Sequence, residues 1–326
     1  MKAVLIDRPG DETVLRIGDA PDPVLGPGEL RLRVAATAVN RADLLQRQGM
    51  YPPPPGASSI LGLECAGTVV EIGAGVTGWK PGDRAMALLA GGGYAEQVVV
   101  HAGSALRVPE RLSLEEAAAI PEVFLTAFLN LFEVGGLCAG GRALVHGGGS
   151  GVGTASIQLA KAAGARILVT AGSEDKCTRC LELGADAAID YRSENFAERV
   201  REETGGRGVD VVLDSIGAKY FESNLACLAM GGRLVLIGLM GGAKVEANLA
   251  VLLARRLHVI GSTLRARPVE EKAAIVAAFE RRFGADLAAG RVRPVVDRVL
   301  PLEQVAAAHR SMKASEHFGK IVLKVG

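Results

Sequence analysis

The chain carries almost no net charge. Its 37 lysines and arginines meet 36 aspartates and glutamates, leaving +1 at neutral pH. That balance gives no electrostatic footprint for nucleic acid or for an anionic membrane surface. Aromatic residues are scarce, at 4%, and no stripe of basic and aromatic side chains of the kind that stacks bases is visible. No uninterrupted apolar run reaches the ~20 residues that span a bilayer. The opening MKAVLIDRPGD is too short in apolar residues for a signal core and reads as a first strand. Cysteine is limited to positions 65, 138, 177, 180 and 227. An odd count without regular spacing argues against a disulfide framework and suits a reducing cytoplasm. The single CxxC, Cys177 to Cys180, lies in a predicted helix without a second pair or a nearby histidine. The five histidines (101, 146, 258, 309 and 317) show no ligand spacing, so no metal site is expected. Internal repeats and linkers are missing too; PPPP at 52–55 reads as a stiff surface loop.

What is present is strongly patterned. With 326 residues, 49% of them hydrophobic, the chain can build two domains with substantial cores. Residues 1–120 hold short β patterns, ELRLRVAATAV, GTVVEIG, RAMALL and YAEQVVV, divided by turn signals such as LGPGE and GWKPGDR. They predict a barrel-like β domain. Helical spacing begins near Leu114 and is interrupted at Pro121. From Arg142 strands and helices alternate through ALVHG, RILVTA, AAIDY, VDVVLDSI, RLVLIG and HVIGSTL, which predicts an α/β, doubly wound parallel sheet. After Pro268 come a long helix, the strand VVDRVL, the helix EQVAAAHRSMKA and the strand KIVLKV. The expected division is a β-rich domain over 1–120, completed by 268–326, and a Rossmann domain over 121–267.

The first of the βα units contains the turn Gly147-Gly148-Gly149-Ser150-Gly151-Val152-Gly153. A strand that ends in glycines and feeds a helix presents free N–H groups and a positive dipole end to a pyrophosphate. Aligned on its last glycine, the turn departs from G-x-G-x-x-G by placing Ser150 at the second glycine, so its context carries the reading. Gly149, Ser150, Gly151 and Val152 are the expected contacts. The corner after the second strand, Thr170-Ala171-Gly172-Ser173, has no carboxylate for a ribose diol. Gly172, Ser173, Lys176 and Tyr191 instead suit a 2′-phosphate, which favours NADPH over NADH. Gly217, Gly238, Leu239 and Leu264 end later strands and fall in the same expected row. His146 reads as a packed, hydrogen-bonded histidine, Asp214 as structural, and Arg265 and Arg267 as solvated surface charges.

The β-rich start, late Rossmann domain and returning tail resemble the medium-chain dehydrogenase/reductase superfamily. VAATAVNRADLLQRQGMYPPPPGASSILGLECAGTVVEIG, HGGGSGVGTASIQLAK and FGKIVLKV resemble its zeta-crystallin-like quinone oxidoreductases, and NRADLLQRQGMYPPPPGAS, AMALLAGGG, AAAIPEVFLTAF and GLMGG the tumour-suppressor-inducible branch. The resemblance implies a GroES-like catalytic domain, NADPH as cofactor, a quinone or activated carbonyl as substrate, and a homodimer. Thr126 resembles the family's threonine near the nicotinamide. Zinc alcohol dehydrogenases of the superfamily carry a G-H-E triplet whose histidine binds catalytic zinc. Here the triplet is Gly62-Leu63-Glu64, Asn40 takes the place of a cysteine ligand, and the structural zinc lobe is missing. A quinone needs little Lewis-acid help, because hydride addition gives a delocalised hydroquinone anion. Tyr51, held by prolines, is the expected substrate-side residue, with Asn40 and Asp43 beside it. The alternatives are an NADPH-dependent enal, enone or enoyl-thioester reductase, and an RNA-binding or structural protein.

Overall fold

Alternating apolar runs in the first hundred residues pair as strands: β1 (Lys2–Ile6), β2 (Leu15–Asp19), β3 (Glu29–Ala38), β4 (Glu64–Ile72), β5 (Arg84–Leu88), β6 (Gln97–His101) and β7 (Ala105–Arg107). The later runs give β8 (Arg142–His146), β9 (Arg166–Ala171), β10 (Ala187–Asp190), β11 (Val209–Asp214), β12 (Leu228–Leu236) and β13 (His258–Gly261). The tail adds β14 (Val296–Pro301) and β15 (Lys320–Lys324). The computed structural model describes residues 1–326 and divides into two units, Met1–Leu125 with Leu264–Gly326, and Thr126–Thr263.

The first unit is built on a seven-stranded sheet in the order β14-β15-β3-β4-β5-β7, with β6 also pairing β3. Along β3 the pleat sends Leu30, Leu32 and Val34 inward. The returning tail completes this core with Leu302, Val305, Ile321 and Leu323. β15 pairs antiparallel with β3 over Ala36–Ala38, so the last strand lies beside residues that lead directly into Asn40.

The second unit is a parallel six-stranded sheet in the order β10-β9-β8-β11-β12-β13. The winding direction reverses between β8 and β11, the position at which such sheets bind ligands. β8 and its neighbours are apolar along most of their length because helices cover both faces. The edge strand β13 stops at Gly261, shorter than HVIGSTL suggests, and Leu264 lies beyond it in the first unit. Pro121 opens the helix Pro121–Phe128, where its missing N–H costs no helix bond. A π-helical turn, Leu129–Glu133, continues that helix, and Asn130 donates its side-chain amide to the Thr126 carbonyl at 2.8 Å.

Candidate active site

At the end of β8 the second unit turns through three glycines into the helix Gly151–Ala162. Gly147 has φ +77°. A Cβ on Gly148 would lie 2.6 Å from Val169 Cγ2, and one on Gly153 would lie 2.2 Å from the Gly147 carbonyl oxygen. Glycine thus lets turn, strand and helix approach one another. Ser150 caps the helix by accepting from the Gly153 N–H at 3.0 Å. The N–H groups of Gly151 and Val152 find no acceptor within the chain and sit at the positive end of the helix dipole, where an anion is favoured.

Behind the turn lies a line of buried polar groups whose protons are fixed by elimination. Asn224 donates Nδ2 to Asp214 Oδ2 at 3.0 Å, so its Oδ1 faces His146 Nε2 at 2.7 Å. Nε2 therefore carries the imidazole proton, and Nδ1 accepts from the Thr170 hydroxyl at 3.0 Å. That hydroxyl in turn accepts the Gly147 N–H at 3.3 Å. Asp214 also accepts from the N–H groups of Ile216 at 2.6 Å and Gly217 at 3.0 Å. His146 and Asp214 are internal braces, as the sequence suggested. Burial pushes the histidine pKa down and the aspartate pKa up.

The ribose corner is compact. Ser173 caps the helix Glu174–Glu182 through the Lys176 N–H at 3.3 Å. Glu174 and Asp175 lie exposed in its first turn. Tyr191 follows β10 and donates its N–H to the Ala171 carbonyl at 3.1 Å. Its phenol lies over Gly172, where a Cβ would meet the phenolic oxygen at 2.6 Å. Gly172, Ser173 and Tyr191 thus come together, with Lys176 in the helix's first turn. The loops after β11 and β12 knit together: Met240 donates to the Ser215 carbonyl at 3.1 Å, and Ala218 to that of Gly242 at 2.9 Å. Gly217, at φ +82°, passes against the exposed Leu239, and a Cβ on Gly238 would lie 3.0 Å from the Ser215 carbonyl oxygen.

In the first unit, Asn40 and Asp43 open the helix Arg41–Arg47. Neither side chain is open to a ligand, contrary to expectation. Asp43 is fully buried and accepts from the Asn40 N–H at 2.8 Å, the Gly62 N–H at 3.1 Å and the Tyr94 hydroxyl at 3.2 Å. Burial pushes its pKa up to about 6 against these donors. Asn40 donates to Glu64 Oε1 at 2.9 Å and accepts from the Lys320 ammonium at 2.6 Å. Lys320 also reaches Glu64 at 2.8 Å and the Val39 carbonyl at 3.0 Å. Sequence reasoning missed this lysine, 280 residues from Asn40.

Tyr51 stands half-buried at the head of the proline loop, and burial pushes its phenol pKa up. Arg265 corrects a second expectation. It is 5% exposed rather than solvated, and its guanidinium lies over the Tyr51 ring, 5.2 Å from the centroid. Arg267 does stay near the surface, paired with Glu271 at 2.9 Å.

Residues 26–110 match the alcohol dehydrogenase GroES-like domain, and residues 151–280 the zinc-binding dehydrogenase family. The quinone oxidoreductase of Rattus norvegicus is 31% identical over 329 residues, covering 99% of this chain and 97% of the relative. The chain belongs to the medium-chain dehydrogenase/reductase superfamily. It is therefore an oxidoreductase, of a family that uses NAD(P)H. A mycocerosic acid synthase-like polyketide synthase of Mycobacterium tuberculosis is 34% identical over 98% of this chain, which spans only 15% of that relative's length. Among solved structures, the JamJ enoyl reductase in its apo form has a TM-score of 0.88 at 27% identity, covering 100% of this chain and 99% of that one. Mycobacterial Rv1454c complexed with NADPH has a TM-score of 0.87 at 33% identity, covering 99% and 100%.

The zinc in the family's description does not fit this oxidoreductase. At the former ligand positions stand an amide, Asn40, and a buried hydrocarbon, Leu63. The carboxylate of Glu64 is already neutralised by the Lys320 ammonium. A dinucleotide does fit: the second unit offers a glycine turn that added Cβ atoms would fill, and two helix-start N–H groups without acceptors. No helix is long and apolar enough to cross a membrane.

Proposed function

We propose that this oxidoreductase is a zinc-independent NADPH:quinone oxidoreductase allied with the tumour-suppressor-inducible branch. One observation carries the reading: the Lys320 ammonium binds Glu64 and also Asn40, the residue that the resemblance sets at a zinc ligand's position. An acceptor reduced here takes hydride without Lewis-acid help. A quinone does so readily, and mainly requires alignment. When bound, the nicotinamide supplies the hydride.

On this reading Gly149, Ser150, Gly151 and Val152 hold the pyrophosphate. Gly172, Ser173, Lys176 and Tyr191 hold the 2′-phosphate. Thr126, Gly217, Gly238 and Leu239 line the nicotinamide end. Tyr51 meets the acceptor, while Asn40 and Asp43 fix the backbone from which its loop departs. The enzyme works in a reducing cytoplasm, where its five free thiols stay reduced. It is a homodimer joined along β13, the open edge of the six-stranded sheet.

A second reading, reduction of an enal, enone or enoyl thioester, is supported by the likeness to the JamJ enoyl reductase. Steady-state turnover decides between them, with naphthoquinones, a hexenal and a crotonyl thioester each offered with NADPH and NADH. The expected result is fastest turnover of a quinone with NADPH, with Lys176→Ala raising KM for NADPH far more than for NADH. Preferred turnover of the thioester would transfer the assignment to the second reading.

A further inference from the structure

Arg265 is a buried guanidinium with no carboxylate within salt-bridge distance. Its partners are all neutral. Nε donates to the Ala90 carbonyl at 2.8 Å, Nη1 to the Tyr51 carbonyl at 3.3 Å, and Nη2 to Gln46 Oε1 at 2.6 Å. Burying a cation without an anion is unfavourable, so its placement calls for a reason beyond stability. The three acceptors belong to three separate segments: the helix Arg41–Arg47, the proline loop and the glycine-rich loop after β5. Gln46 extends the clamp by donating Nε2 to the Ser59 carbonyl at 2.9 Å, at the far end of the proline loop. Lys272 anchors the clamp's own backbone, donating to the Arg265 carbonyl at 3.4 Å.

We infer that Arg265 is the positioning residue of the acceptor loop, holding Tyr51 by ring and carbonyl and tying both ends of the proline segment to the glycine-rich loop. The inference rests on the proposal that Tyr51 meets the acceptor. Only a planar fork serves three divergent oxygens and a ring face at once. A lysine keeps the charge and loses that geometry. Arg265 touches the loop rather than the dinucleotide turn, so its loss falls on the acceptor and spares NADPH.

A double-mutant cycle between Arg265→Met and Tyr51→Ala tests this, with kcat and KM measured separately for quinone and NADPH. The expected result for Arg265→Met is a loss of roughly 10- to 100-fold in kcat/KM for the quinone, the scale of a misplaced reacting group. KM for NADPH should stay within about twofold. Arg265→Lys should recover little of the loss, and Arg265→Met should cost almost nothing further in the Tyr51→Ala background. Gln46→Leu, which spares the charge, should lose several-fold in the same parameter if Arg265→Met does not fold. Additive losses, full rescue by lysine, or an equal rise in KM for NADPH would overturn the inference. No effect of Tyr51→Ala by itself would instead overturn the assignment of Tyr51 to the acceptor.

Discussion

Arginine does not give up its proton, and that fixes a second line of hydrogens besides the one behind the glycine turn. Arg47 donates to His309 Nδ1 at 3.2 Å, so Nε2 holds the imidazole proton and faces the Tyr94 oxygen at 3.2 Å. The Tyr94 hydroxyl then points at Asp43. The charges of Arg47 and Asp43 are thus linked through two neutral side chains, and the backbone N–H groups of Asn40 and Gly62 are held at the end of the line. His146 performs the same service for the glycine turn with the same tautomer. We expect nitrogen chemical shifts of the folded protein to report His146 as neutral and protonated on Nε2 at pH 6, below its usual midpoint, because burial holds its pKa down. A charged His146 at that pH, or a proton on Nδ1, would turn the Thr170 hydroxyl from donor to acceptor and overturn the proton order assigned behind the glycine turn.

At the scale of elements, much was legible because the local chemistry is unambiguous. β-branched runs between glycines gave the six parallel strands, and ASIQLAKAAGA gave the helix after the turn. Capping positions such as Ser150 and Ser173 coincide with the cofactor contacts expected from sequence. What was not legible depends on distant pairing. Nothing in FGKIVLKV says that Lys320 reaches Asn40, and LRARP does not announce a buried arginine, since burial is decided by segments far away in the chain. The π-helical turn after Phe128 was also invisible, because its apolar spacing differs little from that of an α-helix. The edge strand makes a prediction at this scale. Val259 is 39% exposed on β13, and Leu253, in the helix that precedes the strand, is 80% exposed. If two copies pair there, wild-type protein sediments as a dimer at micromolar concentration, and Val259→Lys shifts it to monomer by setting like charges at the seam. A wild-type monomer, or an unchanged Val259→Lys dimer, would remove β13 from the interface.

Across the whole molecule, the first unit is discontinuous, and its tail supplies what its polar interior needs: Arg265, His309 and Lys320 all come after residue 263. Stability should therefore carry the titration of this interior. Burial and the nearby Arg47 hold the His309 pKa down to about 3, against an ordinary value of 6.5. The unfolded chain takes up that proton first, so this group destabilises the fold as pH falls from 6.5, by about 1.4 kcal/mol per unit. Asp43 acts in the opposite sense. Its pKa in the fold is raised to about 6 from 3.8, so its contribution weakens as pH rises from about 4 to 6. His309→Gln removes only the first slope, while its amide can still accept from Arg47 and donate to Tyr94. Above pH 7 the variant should be no more stable than wild type by urea unfolding. Between pH 6.5 and 4 it should gain on wild type by about 1.4 kcal/mol per unit. A difference that stays constant from pH 8 to pH 4 would mean that His309 is not held neutral by the fold, and the proton order assigned from Arg47 to Asp43 would fail with it.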